Sequence, residues 1–150
     1  MKSLTTIFTV LSCFIFLAFV SCEKEIKPNN APQEIKSYVS NYFPDCEIKK
    51  ITREKEKGKK SYDVTLDCGV NLEFEDNNPM QMVDVDSDSK LPDAIIPQPI
   101  LDYVNSNYQN SYIIGWEFEA KKTLQHVDLN TKEVLEFNMN HEFIRVVEID

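Results

Sequence analysis

The chain has 150 residues with 16 Lys+Arg against 25 Asp+Glu, a formal net charge of -9, and it is 42% hydrophobic and 11% aromatic. That much apolar material supports a packed core and excludes a disordered polymer, and the length suits one domain or two small units sharing a core. The acidic balance excludes a nucleic-acid binder, which needs a clustered basic face, and leaves a cationic peptide, a basic protein surface, a divalent ion or plain solubility as its reason.

The first element is a leader. Met1-Lys2 is a short basic start, and Ile7–Val20 is an apolar run of 14 residues. That length suits the core of a signal peptide and is short for a membrane span, which needs about 20 residues. The run closes on Phe19-Val20-Ser21-Cys22, which resembles the lipobox of bacterial lipoproteins; it departs at Phe19, where Leu is usual. The resemblance implies a signal peptide at 1–21, a diacylglycerol-bearing Cys22 and no acid lost on cleavage. An ordinary signal peptide or an uncleaved anchor are the alternatives. Polar residues Glu23–Asn30 then read as a flexible tether, so 22–30 is expected to be lipidated cysteine plus tether. The compartment reached this way is oxidising and permits disulfides.

The helix predicted over 32–43 (PQEIKSYVSNYF) recurs at 97–108 (PQPILDYVNSNY). Ile35, Tyr38, Val39 and Tyr42 form one apolar stripe, and Ile100, Tyr103, Val104 and Tyr108 form nearly the same one. After each helix the apolar period becomes two. The first half predicts strands at Ile48–Glu54, at 61–67 around Tyr62, Val64 and Leu66, at 70–74, and at Met80–Asp86. The second predicts Ile113–Glu119, a strand through Val127 and Leu129, one through Leu135 and Phe137, and Glu142–Asp150. The expected fold class is therefore α+β: two tandem helix-plus-four-stranded antiparallel meander repeats, at 31–86 and 91–150, joined by a linker at 87–90, with the helices packed on one face of the sheet.

Leu91-Pro92-Asp93-Ala94-Ile95, Ile100, Tyr103-Val104, Tyr108, Ile113, Val127, Leu129, Leu135, Phe137 and Asn140, with the matching apolar positions of the first half, resemble the PepSY-like family of bacterial secreted proteins, also described as similar to beta-lactamase inhibitory protein. The likeness covers about 31–150 and rests on core positions. It implies a cell-envelope protein of Bacteroidetes-type bacteria with a non-catalytic role. It does not imply beta-lactamase inhibition, because that depends on contact residues with no counterpart here. Thr131-Lys132-Glu133 stands where the family usually has a turn glycine.

Several constellations bear on function. Asp84, Asp86 and Asp88 have the i, i+2, i+4 spacing that begins a calcium loop, but Ser89 and Ile95 stand where an EF-hand needs Gly and Glu, so a solvated linker is expected. His126 and His141 have no ligand-spaced partner and read as strand and turn residues. Glu73, Glu75, Glu117 and Glu119 alternate along strands and mark either a solvated sheet face or an acidic recognition surface. Trp116 is expected under the helix, and Tyr112 is a candidate anchor for a partner. Folding the first hairpin about Glu56–Lys59 sets Cys46 opposite Cys68, so a disulfide is expected, against two separate thiols. The sequence thus predicts an outer-membrane-type envelope lipoprotein binding an envelope or extracellular protein or peptide of basic character, or, alternatively, sensing a small ligand or divalent cation; no enzyme activity, cofactor or metal site is expected.

Overall fold

The computed structural model describes residues 23–56, 58–119 and 123–147. The predicted signal peptide and Cys22 lie outside the described residues. Nine strands form one antiparallel sheet in sequence order: β1 (Lys24–Ile26), β2 (Ile48–Glu56), β3 (Lys59–Leu66), β4 (Val70–Glu75), β5 (Gln81–Ser87), β6 (Ile113–Phe118), β7 (Leu124–Leu129), β8 (Val134–Asn138) and β9 (Phe143–Val147). Among the described residues two α-helices interrupt the meander, α1 (Gln33–Tyr42) and α2 (Gln98–Asn107), each of 10 residues.

This corrects the expected fold class. The protein is a mostly β, nine-stranded antiparallel sheet with two short helices, not two α+β repeats of one helix and four strands with helices packed on the sheet. The extra strand comes from the stretch read as a tether: Lys24, Glu25 and Ile26 pair with Arg53, Thr52 and Ile51 of β2. A three-residue strand carries too little alternation to be read locally, and it is β2 that orders it. The sheet also runs unbroken through the chain's centre, because Asp84, Val85 and Asp86 of β5 pair with Glu117, Trp116 and Gly115 of β6. Ser87, expected in the linker, is the last residue of β5 and is buried.

The core follows from strand alternation, which sends successive side chains to opposite faces. One register row runs Ile26, Ile51, Val64, Leu72, Val85, Trp116, Val127, Leu135, Val146, a hydrophobic side chain from every strand. Ile51, Val85, Val127 and Leu135 in it are wholly buried. Ile35 and Val39 of α1 and Ile100 and Val104 of α2 join the same hydrophobic cluster. Rings extend it: Tyr38 meets Phe74 edge-on at 5.3 Å and Tyr103 meets Phe137 edge-on at 5.5 Å. Among the described residues the most deeply buried polar side chain is Gln125, whose amide accepts from Trp116 Nε1 at 3.2 Å and donates to the Asn138 carbonyl at 2.7 Å, so its burial leaves no unmet demand.

Turn chemistry fixes the hairpins. β2 and β3 pair Glu56 with Lys59 and Ile51 with Val64, and beyond a bulge the register shifts by one residue and ends on Ile48 and Leu66. Just past it Cys46 and Cys68 are joined in a disulfide, with Cα atoms 5.7 Å apart. Gly69 turns β3 into β4 at φ 84. The corresponding turn between β7 and β8 places Lys132, exposed, at φ 77. An L side chain in the left-handed region costs about 1–2 kcal/mol, which glycine avoids, less the extra freedom glycine has when unfolded. Lys132→Gly is therefore expected to stabilise the protein by about 0.5–1 kcal/mol, read as a raised urea midpoint at unchanged m-value.

Candidate functional site

The face opposite the hydrophobic row carries the chain's chemistry. One residue along on each strand, the register row reads Glu25, Thr52, Asp63, Glu73, Asp84, Glu117, His126, Glu136, Arg145. Asp63, Glu73, Asp84 and Glu117 are consecutive, so each acid faces another directly across a strand pair. Direct cross-strand neighbours have Cβ atoms about 4.5–5.5 Å apart, and like charges there are destabilising. A parallel row adds Asp86 on β5 and Asp128 on β7, with Gly115 between them. A Cβ on Gly115 would collide with the Asp128 carboxylate, so this glycine is what lets Asp128 lie across β6 toward the acids.

The protonation energetics record the crowding. Burial first, then the Glu117, Asp86, Glu73 and Asp128 carboxylates, push the Asp84 carboxyl up to about 6. Burial and neighbouring acids likewise raise Asp63, Glu73 and Asp128. The row ends in compensation. His126 sits between two carboxylates, Nδ1 at 2.9 Å from Glu117 and Nε2 at 3.4 Å from Glu136. Burial works against its charge, but hydrogen bonds to Glu117 and Glu136 outweigh it and raise the imidazole. Glu136, buried, takes Arg145 through Nε at 3.0 Å and Nη2 at 3.2 Å, which holds its carboxyl below the ordinary value.

A pH dependence follows. Between the unfolded carboxyl value of 3.8 and the folded value of about 6, Asp84 binds its proton more tightly when folded, so stability falls as pH rises through that window. His126, raised in the fold, adds stability below its unfolded value of 6.5 that is lost as pH rises through its folded value. The urea midpoint is expected to be higher at about pH 5 than at about pH 7.5, and Asp84→Asn should shrink that difference.

The sequence-predicted residues divide accordingly. Glu73 and Glu117 are brought into the row with Asp84 between them, and Glu75 lies two residues along β4 from Glu73, near enough to raise it. Glu119 follows the end of β6 and accepts from Thr123 Oγ1 at 2.7 Å. Tyr112 precedes β6 and is 37% exposed, its N–H donating to Asn130 Oδ1 at 2.8 Å. Asp84 and Asp86 lie within β5, not in a loop, where a spacing of two sends both to one face. Asp63, Asp128, His126, Glu136 and Arg145 were missed as site residues, since their adjacency depends on the whole sheet's register. Carboxylates strung along a row in this way suit basic side chains, and no three of them among the described residues bring their oxygens close enough together to hold one metal ion. The one grouping of Cys and acid close enough to ligate among the described residues, Cys46, Asp67 and Cys68, has its sulfurs bonded to each other. The hydrogen-bond partners of His126 are carboxylates, and that of His141 is the Gln125 amide.

Comparison with solved structures finds the same fold. A "putative periplasmic protein" from Bacteroides vulgatus matches with a TM-score of 0.77 and 27% identity, over 86% of this chain and 99% of that one. A "putative calcium-regulated periplasmic protein" from Bacteroides thetaiotaomicron matches with a TM-score of 0.75 and 26% identity, over 84% of this chain and 97% of that one. A further B. vulgatus "putative periplasmic protein of unknown function", at 22% identity and a TM-score of 0.75, shares the fold. No curated protein matches the sequence significantly. The sequence profile of the family described as "Putative beta-lactamase-inhibitor-like, PepSY-like" matches twice, over residues 19–81 and 60–145, and the chain belongs to that family.

Proposed function

We propose that this chain is a non-catalytic, lipid-anchored envelope protein whose acidic sheet face receives a cationic segment of another protein or peptide. The observation that carries the reading is the run of Asp63, Glu73, Asp84 and Glu117 on four adjacent strands, like charge facing like charge across each pair. Such a row weakens the free sheet. Lysine or arginine side chains laid along it relieve the repulsion, and charge complementarity of this kind speeds encounter and selects partners. The lipobox-like Phe19-Val20-Ser21-Cys22 and the periplasmic description of two similar structures support an anchored envelope location.

A second reading is a divalent-cation sensor on the same carboxylates. It is favoured by the similar B. thetaiotaomicron protein, described as calcium-regulated. Titration calorimetry separates the two. A lysine- and arginine-rich peptide should bind with an affinity that falls steeply with added salt, while calcium alone gives no heat under the first reading and a saturable isotherm under the second. No heat from either titrant would remove both.

A further inference from the structure

Resting on the lipid-anchor reading of Cys22, we propose that the β1–β2 edge of the sheet docks on the anionic headgroups of the membrane that holds the anchor, so that the domain stands on that edge.

Covalent reach comes first. Cys22 precedes the first residue of β1 by two positions, and a residue spans at most about 3.6 Å. An acylated Cys22 therefore keeps β1 within about 7 Å of the bilayer surface, inside the screening length of about 10 Å over which its potential acts. There is no long tether to carry the domain clear.

Charge is the second, independent observation. Of the Lys and Arg beyond Cys22, ten lie in residues 24–60 and five after them, although the chain as a whole is acidic. Lys24 and Arg53 stand directly opposite each other on β1 and β2. Two cations in that relation are destabilising without an anion to share. Lys27 joins them around one concavity that Asn30 and Tyr62 also line, and Glu25 is its single acid. None of the three cations is in an ion pair among the described residues. An anionic headgroup fits what the three cations lack, and an adjacent polybasic patch is the usual second signal beside a lipid anchor.

The consequence is an orientation. Strands about 4.8 Å apart place β9 about 38 Å from β1 along the sheet, so β9 is the edge farthest from the bilayer. The acidic row then runs outward from the membrane, open along its length to a partner.

The test uses the full-length protein, processed in a bacterial envelope and reconstituted in vesicles of phosphatidylglycerol or of phosphatidylcholine. Each preparation is acetylated briefly on its lysines and read by mass spectrometry, which also reports the mass of the Cys22 peptide. On phosphatidylglycerol, Lys24 and Lys27 should react about fivefold more slowly than on phosphatidylcholine, the factor one basic residue near an anionic surface is worth. Lys90 and Lys132 should react alike on both, and high salt should erase the protection. A lipidated protein whose Lys24 and Lys27 react equally on both vesicles overturns the docking while leaving the anchor standing. A Cys22 peptide without lipid overturns the anchor reading and the docking with it.

Discussion

Phe137→Ala is expected to destabilise the protein by about 3–5 kcal/mol, the usual cost of removing a fully buried aromatic and leaving part of its cavity. Phe137 is wholly buried, pairs with Gln125 of β7 and Phe143 of β9, and meets the rings of Tyr103 and Phe143 at 5.5 and 5.8 Å. It therefore ties α2 to the last strands, and its loss should act on both. Thermal unfolding followed by circular dichroism should show a midpoint lower by about 10–20 °C. A drop of only a few degrees would mean that this ring is not part of the central core.

Neutralising the middle of the acidic row should do the opposite to stability while weakening the proposed binding of a basic partner. In Glu73→Gln/Asp84→Asn, two carboxylates that face each other across β4 and β5 lose their repulsion, and stability is expected to hold or rise by about 0.5–1 kcal/mol. The affinity for a basic peptide should fall about tenfold or more, with a shallower salt dependence. Denaturant unfolding and calorimetry on one preparation report both. A variant that loses stability and keeps its affinity would show that these carboxylates serve the fold and not a partner.

Much of the sheet was readable from short-range pattern. Tyr62, Val64 and Leu66, then Val70, Leu72 and Phe74, alternate cleanly because one face of each strand is buried, and all six are buried in the structure. The hairpin turn at Glu56–Lys59 was readable for the same reason, since the charged run between two alternating stretches leaves one register. The fold class was misread because two strong amphipathic stripes drew weight to the helices, while Lys24–Ile26 has no alternation to show and the β5–β6 pairing joins segments separated by a helix.

The site was half legible for a related reason. Glu73 and Glu117 could be placed on a polar face from their own strands, but nothing local sets Asp84 between them. The i, i+2 spacing of Asp84 and Asp86 reads equally as the start of a cation loop or as one face of a strand, and only pairing on both sides decides for the strand. His126 reads as an ordinary strand residue until β6 and β8 bring Glu117 and Glu136 to its two ring nitrogens.

The central claim, that the acidic sheet face is where a cationic partner binds, is tested most directly by mapping backbone amide shifts during titration with a lysine- and arginine-rich peptide. The account predicts saturable changes confined to β3 through β6 around Asp63, Glu73, Asp84 and Glu117, with α1 and α2 unmoved. Changes centred on the helices, or none at all at saturating peptide, would contradict it.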